Sequence, residues 1–185
     1  IRTGKIKTIC QPIYAVSKTG RFALSLNFDR LALMRPDYGY FNRKITWEEL
    51  PNNLNDGIWY IDIEKNESRL IITLDKLINW LPSATMRGAR HKVNHIDIAP
   101  DGVRFMFLHR WVGPAGRFMR LCTADCVDGC NLYCLTGEQM VSHNCWWGSK
   151  DIISFCRTAD GRNRYVHFKD CMVSLESLGI MIFPS

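Results

Sequence analysis

Residues 14–26 (YAVSKTGRFALSL), 95–107 (HIDIAPDGVRFMF) and 143–155 (HNCWWGSKDIISF) follow one plan, and that recurrence decides the fold. In each, a short extended run leads into a polar turn and then into a second apolar run. The turns are Lys18-Thr19-Gly20, Pro100-Asp101-Gly102 and Gly148-Ser149-Lys150. The second and third copies begin 48 residues apart, the length of one four-stranded blade, and the first two begin 81 apart, one blade plus an insertion. Repeats of this length are supersecondary units that cannot bury their faces alone. Their strand–turn–strand content selects an all-β fold, a β-propeller of four-stranded antiparallel blades. Three blades do not close a ring, which needs about four to eight. The expectation is therefore part of a six- or seven-bladed propeller, completed by further blades or by a protein partner.

The chain divides on this plan as a single partial propeller domain over residues 1–185. Blade one spans 5–73, opens with an outer strand over 5–10, and carries a polar, aromatic loop insertion over 29–56. A connection of that length in a compact domain is usually functional. Its RLALMRPDYGYFNR stretch, residues 30–43, reads equally as a lid for an acidic sugar or a partner and as an ordered surface loop. Residues 74–93 form a helical and basic insertion, because LDKLINWL spaces its apolar residues as a short helix. Blade two spans 94–137, with Val127-Asp128-Gly129 as a hairpin loop that places Gly in the left-handed position. Blade three spans 141–185, where residues 173–179 fit a strand or a short helix.

Bulk properties narrow the function classes. The chain has 185 residues, a net charge of +6 and 46% hydrophobic content, the profile of a globular protein. No run of about 18 apolar residues offers a membrane-spanning helix. The 24 Lys and Arg are dispersed, which argues against a nucleic-acid arm and suits an acidic ligand such as a uronate. Cys122, Cys126, Cys130 and Cys134 recur at a spacing of four on a hairpin pattern, without the paired knuckles of a zinc site. A three-residue loop sets Cys126 opposite Cys130 and Cys122 opposite Cys134. Reduced thiols acting as small apolar residues, in a reducing cytoplasm, fit all eight cysteines best.

His95 and His143 occupy the same place in the repeat, at the start of the innermost strand, where side chains of successive blades converge. Converging imidazoles suit a metal or a general base as well as hydrogen-bonded strand ends. His109 ends the second strand of blade two beside Arg110 and Trp111. His167, mid-strand, reads as structural.

Four stretches carry a family resemblance: Asn94-His95-Ile96, Phe107-Leu108-His109, residues 117–120 with Arg at both ends, and Ser142-His143-Asn144-Cys145-Trp146. Over residues 94–158 the chain resembles the middle blades of bacterial oligogalacturonate lyases, within the wider group of TolB-like propellers. The resemblance implies a Mn(2+) cofactor with His143 as a ligand, and His109 as the Brønsted base. Such an enzyme would carry out β-elimination on an oligouronide, a base removing the proton α to the carboxylate while cations stabilise the enediolate. Arg110 or Arg120 would clamp the carboxylate, with His95 beside them and Trp111, Trp146 or Trp147 stacking on sugar rings. The family's further ligands, a Gln and a closely spaced His pair, have no counterpart, and no His-x-His occurs. Two readings stay open: a carbohydrate-processing lyase, and a non-catalytic propeller that binds an acidic saccharide or a protein partner.

Overall fold

The computed structural model describes residues 4, 6–39 and 44–171. Three antiparallel sheets follow one another along the chain. The first contains β1 (Ala15–Val16), β2 (Phe22–Leu26), β3 (Gly57–Asp62) and β4 (Glu67–Thr73), each paired with the next. The second contains β5 (Arg90–Ile98), β6 (Arg104–Gly113), β7 (Gly116–Asp125) and the two-residue β8 (Tyr133–Cys134) in the same simple order. The third contains β9 (Val141–Trp147), β10 (Asp151–Arg157) and β11 (Asn163–Lys169). The all-β class and the sheet-by-sheet organisation agree with the repeat. No closed ring or barrel is present among the described residues.

Alternation along β6 places the middle sheet between the other two. Phe105 and Phe107 face the first sheet and pack in one core with its Leu24, Leu26, Ile58 and Ile72 and with Val93 and Ile96 of β5. Met106 and Leu108, on the opposite side, pack in a second core with Leu121 of β7 and with Val141, Ile152 and Val166 of the third sheet. A strand buried on both faces loses the polar alternation of a surface strand, which is why residues 105–108 (FMFL) read as one continuous apolar run. Burying Phe105 and Phe107 completely removes about 150–250 Å² of apolar surface per ring from water, so this sheet anchors the fold.

Two short helices depart from the sheets. Helix α2 (Leu74–Trp80) lies where the apolar spacing places it, capped by the Thr73 side chain, which accepts from Lys76 N–H at 2.9 Å. Helix α1 (Phe28–Met34) occupies the start of the expected loop. The side chain of Asn27 caps it by accepting from Arg30 N–H at 3.0 Å, and Leu31 enters the first core. The outer strand expected over residues 5–10 is absent over 6–10. Lys7 Nζ instead donates to the carbonyls of Ile63 and Glu64 at 2.6 and 2.9 Å, alongside the β3–β4 hairpin. The ambiguous segment 173–179 lies outside the described residues.

The cysteine hairpin is only partly as expected. Cys122 does face Cys134 across β7 and β8. Cys126 does not face Cys130, because Asp125 takes both bonds there: its N–H donates to Cys130 O and its carbonyl accepts from Gly129 N–H, each at 3.0 Å. One extra residue enters the turn, and Gly129 takes φ +66° against the Ile71 carbonyl.

Candidate functional site

The repeat-equivalent residues share more than sequence position. Asn94 pairs with Leu108 and Asp97 with Met106, so His95 and Ile96 together oppose Phe107. Ser142 pairs with Phe155 and Cys145 with Ile153, so His143 and Asn144 together oppose Ser154. β5 and β9 therefore each carry a β-bulge whose first residue is a histidine in the left-handed region, at φ +53° for His95 and +51° for His143. A non-glycine residue there is uncommon, and bulges of this kind re-aim side chains at sheet edges.

The bulges bring the inner strands together. The Tyr14 hydroxyl, from the first repeat, accepts the His95 backbone N–H at 3.1 Å. Trp146 Nε1 donates to the Asp97 carbonyl at 3.1 Å, tying β9 to β5. Around His95 lie Arg110, Arg35, Lys92 and His143, and burial together with these positive neighbours depresses the His95 imidazole to about 4. Its Nδ1 is buried without a partner. Tyr38 stands with its ring centroid 6.3 Å from His95 and stacks under the Arg35 guanidinium at 4.4 Å.

The cations of this cluster lack anions. Lys92 and Arg110 are directly opposite on β5 and β6. Lys92 is only 4% exposed, and burial, with Arg110, Arg35 and Arg117, lowers its ammonium to about 8. Arg110 Nε is buried without a hydrogen bond, and burial and then Arg35 lower its guanidinium as well. Neither has an acidic partner among the described residues. Two residues along β5 from Lys92, and so on the same face, Asn94 is fully buried with neither its amide donor nor its acceptor met. Such groups cost free energy unless something satisfies them.

Other residues singled out from sequence lie in a separate place. His109 has no exposed surface and sits among His91, Trp111 and Arg120. His109 Nε2 and His91 Nδ1 are 3.0 Å apart. His91 also bonds the Met86 backbone carbonyl, which raises its pKa slightly against burial. The consistent tautomers have His91 donating to Met86 and His109 donating to His91, leaving His109 Nδ1 as an unmatched acceptor. Burial pushes the His91 imidazole down to about 4 and that of His109 well below its ordinary value, so both stay neutral at pH 7.

Trp111 is also fully buried and donates through Nε1 to Thr85 Oγ1 at 3.0 Å. Arg120, 4% exposed, donates to the carbonyls of Leu77 and Leu81 at 2.7 and 2.8 Å. Helix α2 has no basic residue in its own last turn, and Arg120 supplies the positive charge its C-terminus favours. In this arrangement His109, Trp111 and Arg120 shape the support of β6 and α2.

The structure thus brings together His95, Arg110 and His143, holds Trp146 at the adjacent strand contact, and places His109, Trp111 and Arg120 elsewhere. His167 Nε2–H donates to the Asp151 carboxylate across β10 and β11 at 2.7 Å, a structural pairing. Arg35 and Tyr38 come from the 30–43 stretch that reads as a lid or an ordered surface loop, while Lys92 and Tyr14 join the site without having been singled out as ligand-binding residues. No group of three His, Cys, Asp or Glu side chains converges among the described residues. The positive charges of Arg35, Lys92 and Arg110 around His95 disfavour a divalent cation beside it.

No helix among the described residues is long and apolar enough to cross a membrane. No family model matches this chain, and comparison with curated proteins and with solved structures gave no match either.

Proposed function

We propose that this chain is a segment of a propeller-like sheet stack whose inner strands bind an acidic saccharide. The observation that carries the reading is the pair Lys92, buried, and Arg110, half-buried, directly opposite each other and without an anionic partner among the described residues. A carboxylate entering beside them would accept charge-assisted hydrogen bonds from both, and such bonds contribute about 1.5–3 kcal/mol each. Tyr14, Tyr38 and the exposed imidazole of His143 flank the cluster and suit the hydroxyl groups and faces of a sugar ring.

The reading does not include elimination. His109, the base implied by the family resemblance, has no exposed atom and bonds His91. Calorimetric titration with short oligogalacturonates, against neutral oligosaccharides of equal length, tests the proposal. Binding of the acidic series alone, with no rise in ultraviolet absorbance from an unsaturated product, is the expected result. Equal binding of both series, or none of either, overturns it.

A further inference from the structure

Cys122 and Cys134 are direct partners on β7 and β8, and all eight cysteines are free thiols. The neighbouring pair, Leu121 and Leu135, is joined by Leu135 N–H to Leu121 O at 2.8 Å. The cysteine pair therefore occupies the adjacent, non-hydrogen-bonded position of the ladder. There the Cα atoms of an antiparallel pair approach to about 4.5 Å and side chains stand closest. A disulfide accepts Cα separations from about 4.4 to 6.8 Å, so this position lies at the near edge of the permitted range. β8 is an edge strand of two residues, free to adjust to it.

The two sulfurs differ in surroundings. Cys122 is fully buried in the first core, while Cys134 is half-buried at its margin, with Sγ donating to Thr136 O at 3.0 Å. A hydrogen bond from Cys122 lowers the Cys134 thiol, helped by the Arg120 guanidinium, whereas burial raises Cys122 well above the ordinary range. Cys130 is exposed but carries the opposite influence, since its hydrogen bond to Asp128 raises its pKa. Exposure and thiolate character thus separate among these cysteines.

We propose that Cys134 and Cys122 form a redox-modification site, a nucleophile and its resolving thiol, that a peroxide converts to a cross-strand disulfide. The Cys134 thiolate attacks the peroxide, forming an S–O bond while the O–O bond breaks and the alcohol or water leaves. Cys122, losing its proton, then attacks the sulfenic sulfur, forming S–S as S–O breaks and hydroxide departs as water. In sum, two thiols and one peroxide give one disulfide, one alcohol or water, and one further water.

The test treats the folded full chain with one equivalent of hydrogen peroxide, blocks remaining thiols, and maps peptides by mass. The expected product is lighter by about 2 Da, the two hydrogens lost on disulfide formation. It contains the Cys122–Cys134 link and reverts with dithiothreitol. Cys122→Ser should leave a Cys134 sulfenic acid that dimedone captures, whereas wild type gives none, and Cys126→Ser should retain the link. A link through Cys126 or Cys130 overturns the proposal. So does oxidation of Cys134 to a sulfinic acid in wild type without any link, or an unmodified Cys134 while exposed thiols react.

Discussion

Arg104, Lys92 and Arg110 are cations on the same sheet, the first two buried and Arg110 half-buried, and the fold treats Arg104 and the Lys92–Arg110 pair in opposite ways. Arg104 uses all three guanidinium nitrogens. Nε and Nη2 donate to the two Asp170 oxygens at 2.8 and 3.2 Å, Nη1 to Asp125 at 2.6 Å and to Asn131 O at 2.9 Å, and Nη2 also to Thr123 at 3.0 Å. Burial disfavours its charge, but Asp170 and Asp125 outweigh that and hold its pKa above the ordinary value. Since Asp170 directly follows β11, this network clasps the third sheet to the second. Neither Lys92 nor Arg110 has an ion pair with a carboxylate among the described residues, and Arg110 Nε has no hydrogen bond there. A buried charge left unpaired opposes the fold, and on the proposed reading an acidic ligand supplies the missing partner.

The largest effect expected from this contrast is on the clasp. Asp170→Ala leaves Arg104 with Asp125 alone as an acidic partner and cuts its link to the third sheet, and should lower stability by about 3 kcal/mol, read as a shifted denaturant midpoint. Arg110→Ala should leave stability nearly unchanged and weaken acidic-saccharide binding at least about tenfold, the equivalent of one charge-assisted bond. A clasp variant that is fully stable, or an Arg110 variant that binds normally, breaks the comparison.

Titration sharpens it. Because the Lys92 ammonium loses its proton at about 8, affinity for the acidic ligand should decline as pH rises from 7 to 9. Calorimetry at fixed ionic strength measures this. Acid acts on the other histidine pair. His91 and His109 are depressed in the folded chain, His91 to about 4 from 6.5, so the unfolded chain binds more protons below pH 6.5. Their contribution is complete above that pH and is lost as pH falls from 6.5 towards 4, visible as a falling melting temperature. The smallest effect expected is at Trp111: Thr85→Val removes the acceptor of its indole N–H and should cost about 1 kcal/mol.

Much of this was legible in the residues. The repeat gives the three sheets, the spacing of LDKLINWL gives α2, and Asp128-Gly129 gives the left-handed glycine. Helix α1 was hidden because ALSLNFDRLALM is apolar enough to continue β2; the cap Asn27 with helix-forming residues after it was the available signal. The burial of His109 was also within reach. Phe105, Phe107, His109 and Trp111 alternate onto one face of β6, and the first two face the core. What sequence could not supply is the conformation at His95 and His143. Their left-handed φ depends on bulges set by cross-strand register, and that register decides that Lys92 and Arg110 meet at His95.

Lys92→Met tests the central claim most directly, because it removes the buried charge while keeping a flexible apolar stem. Measured together, the unfolding free energy of the ligand-free chain should rise by about 1–3 kcal/mol and acidic-saccharide binding should fall. A variant less stable than the parent that binds the saccharide with undiminished affinity would contradict the account.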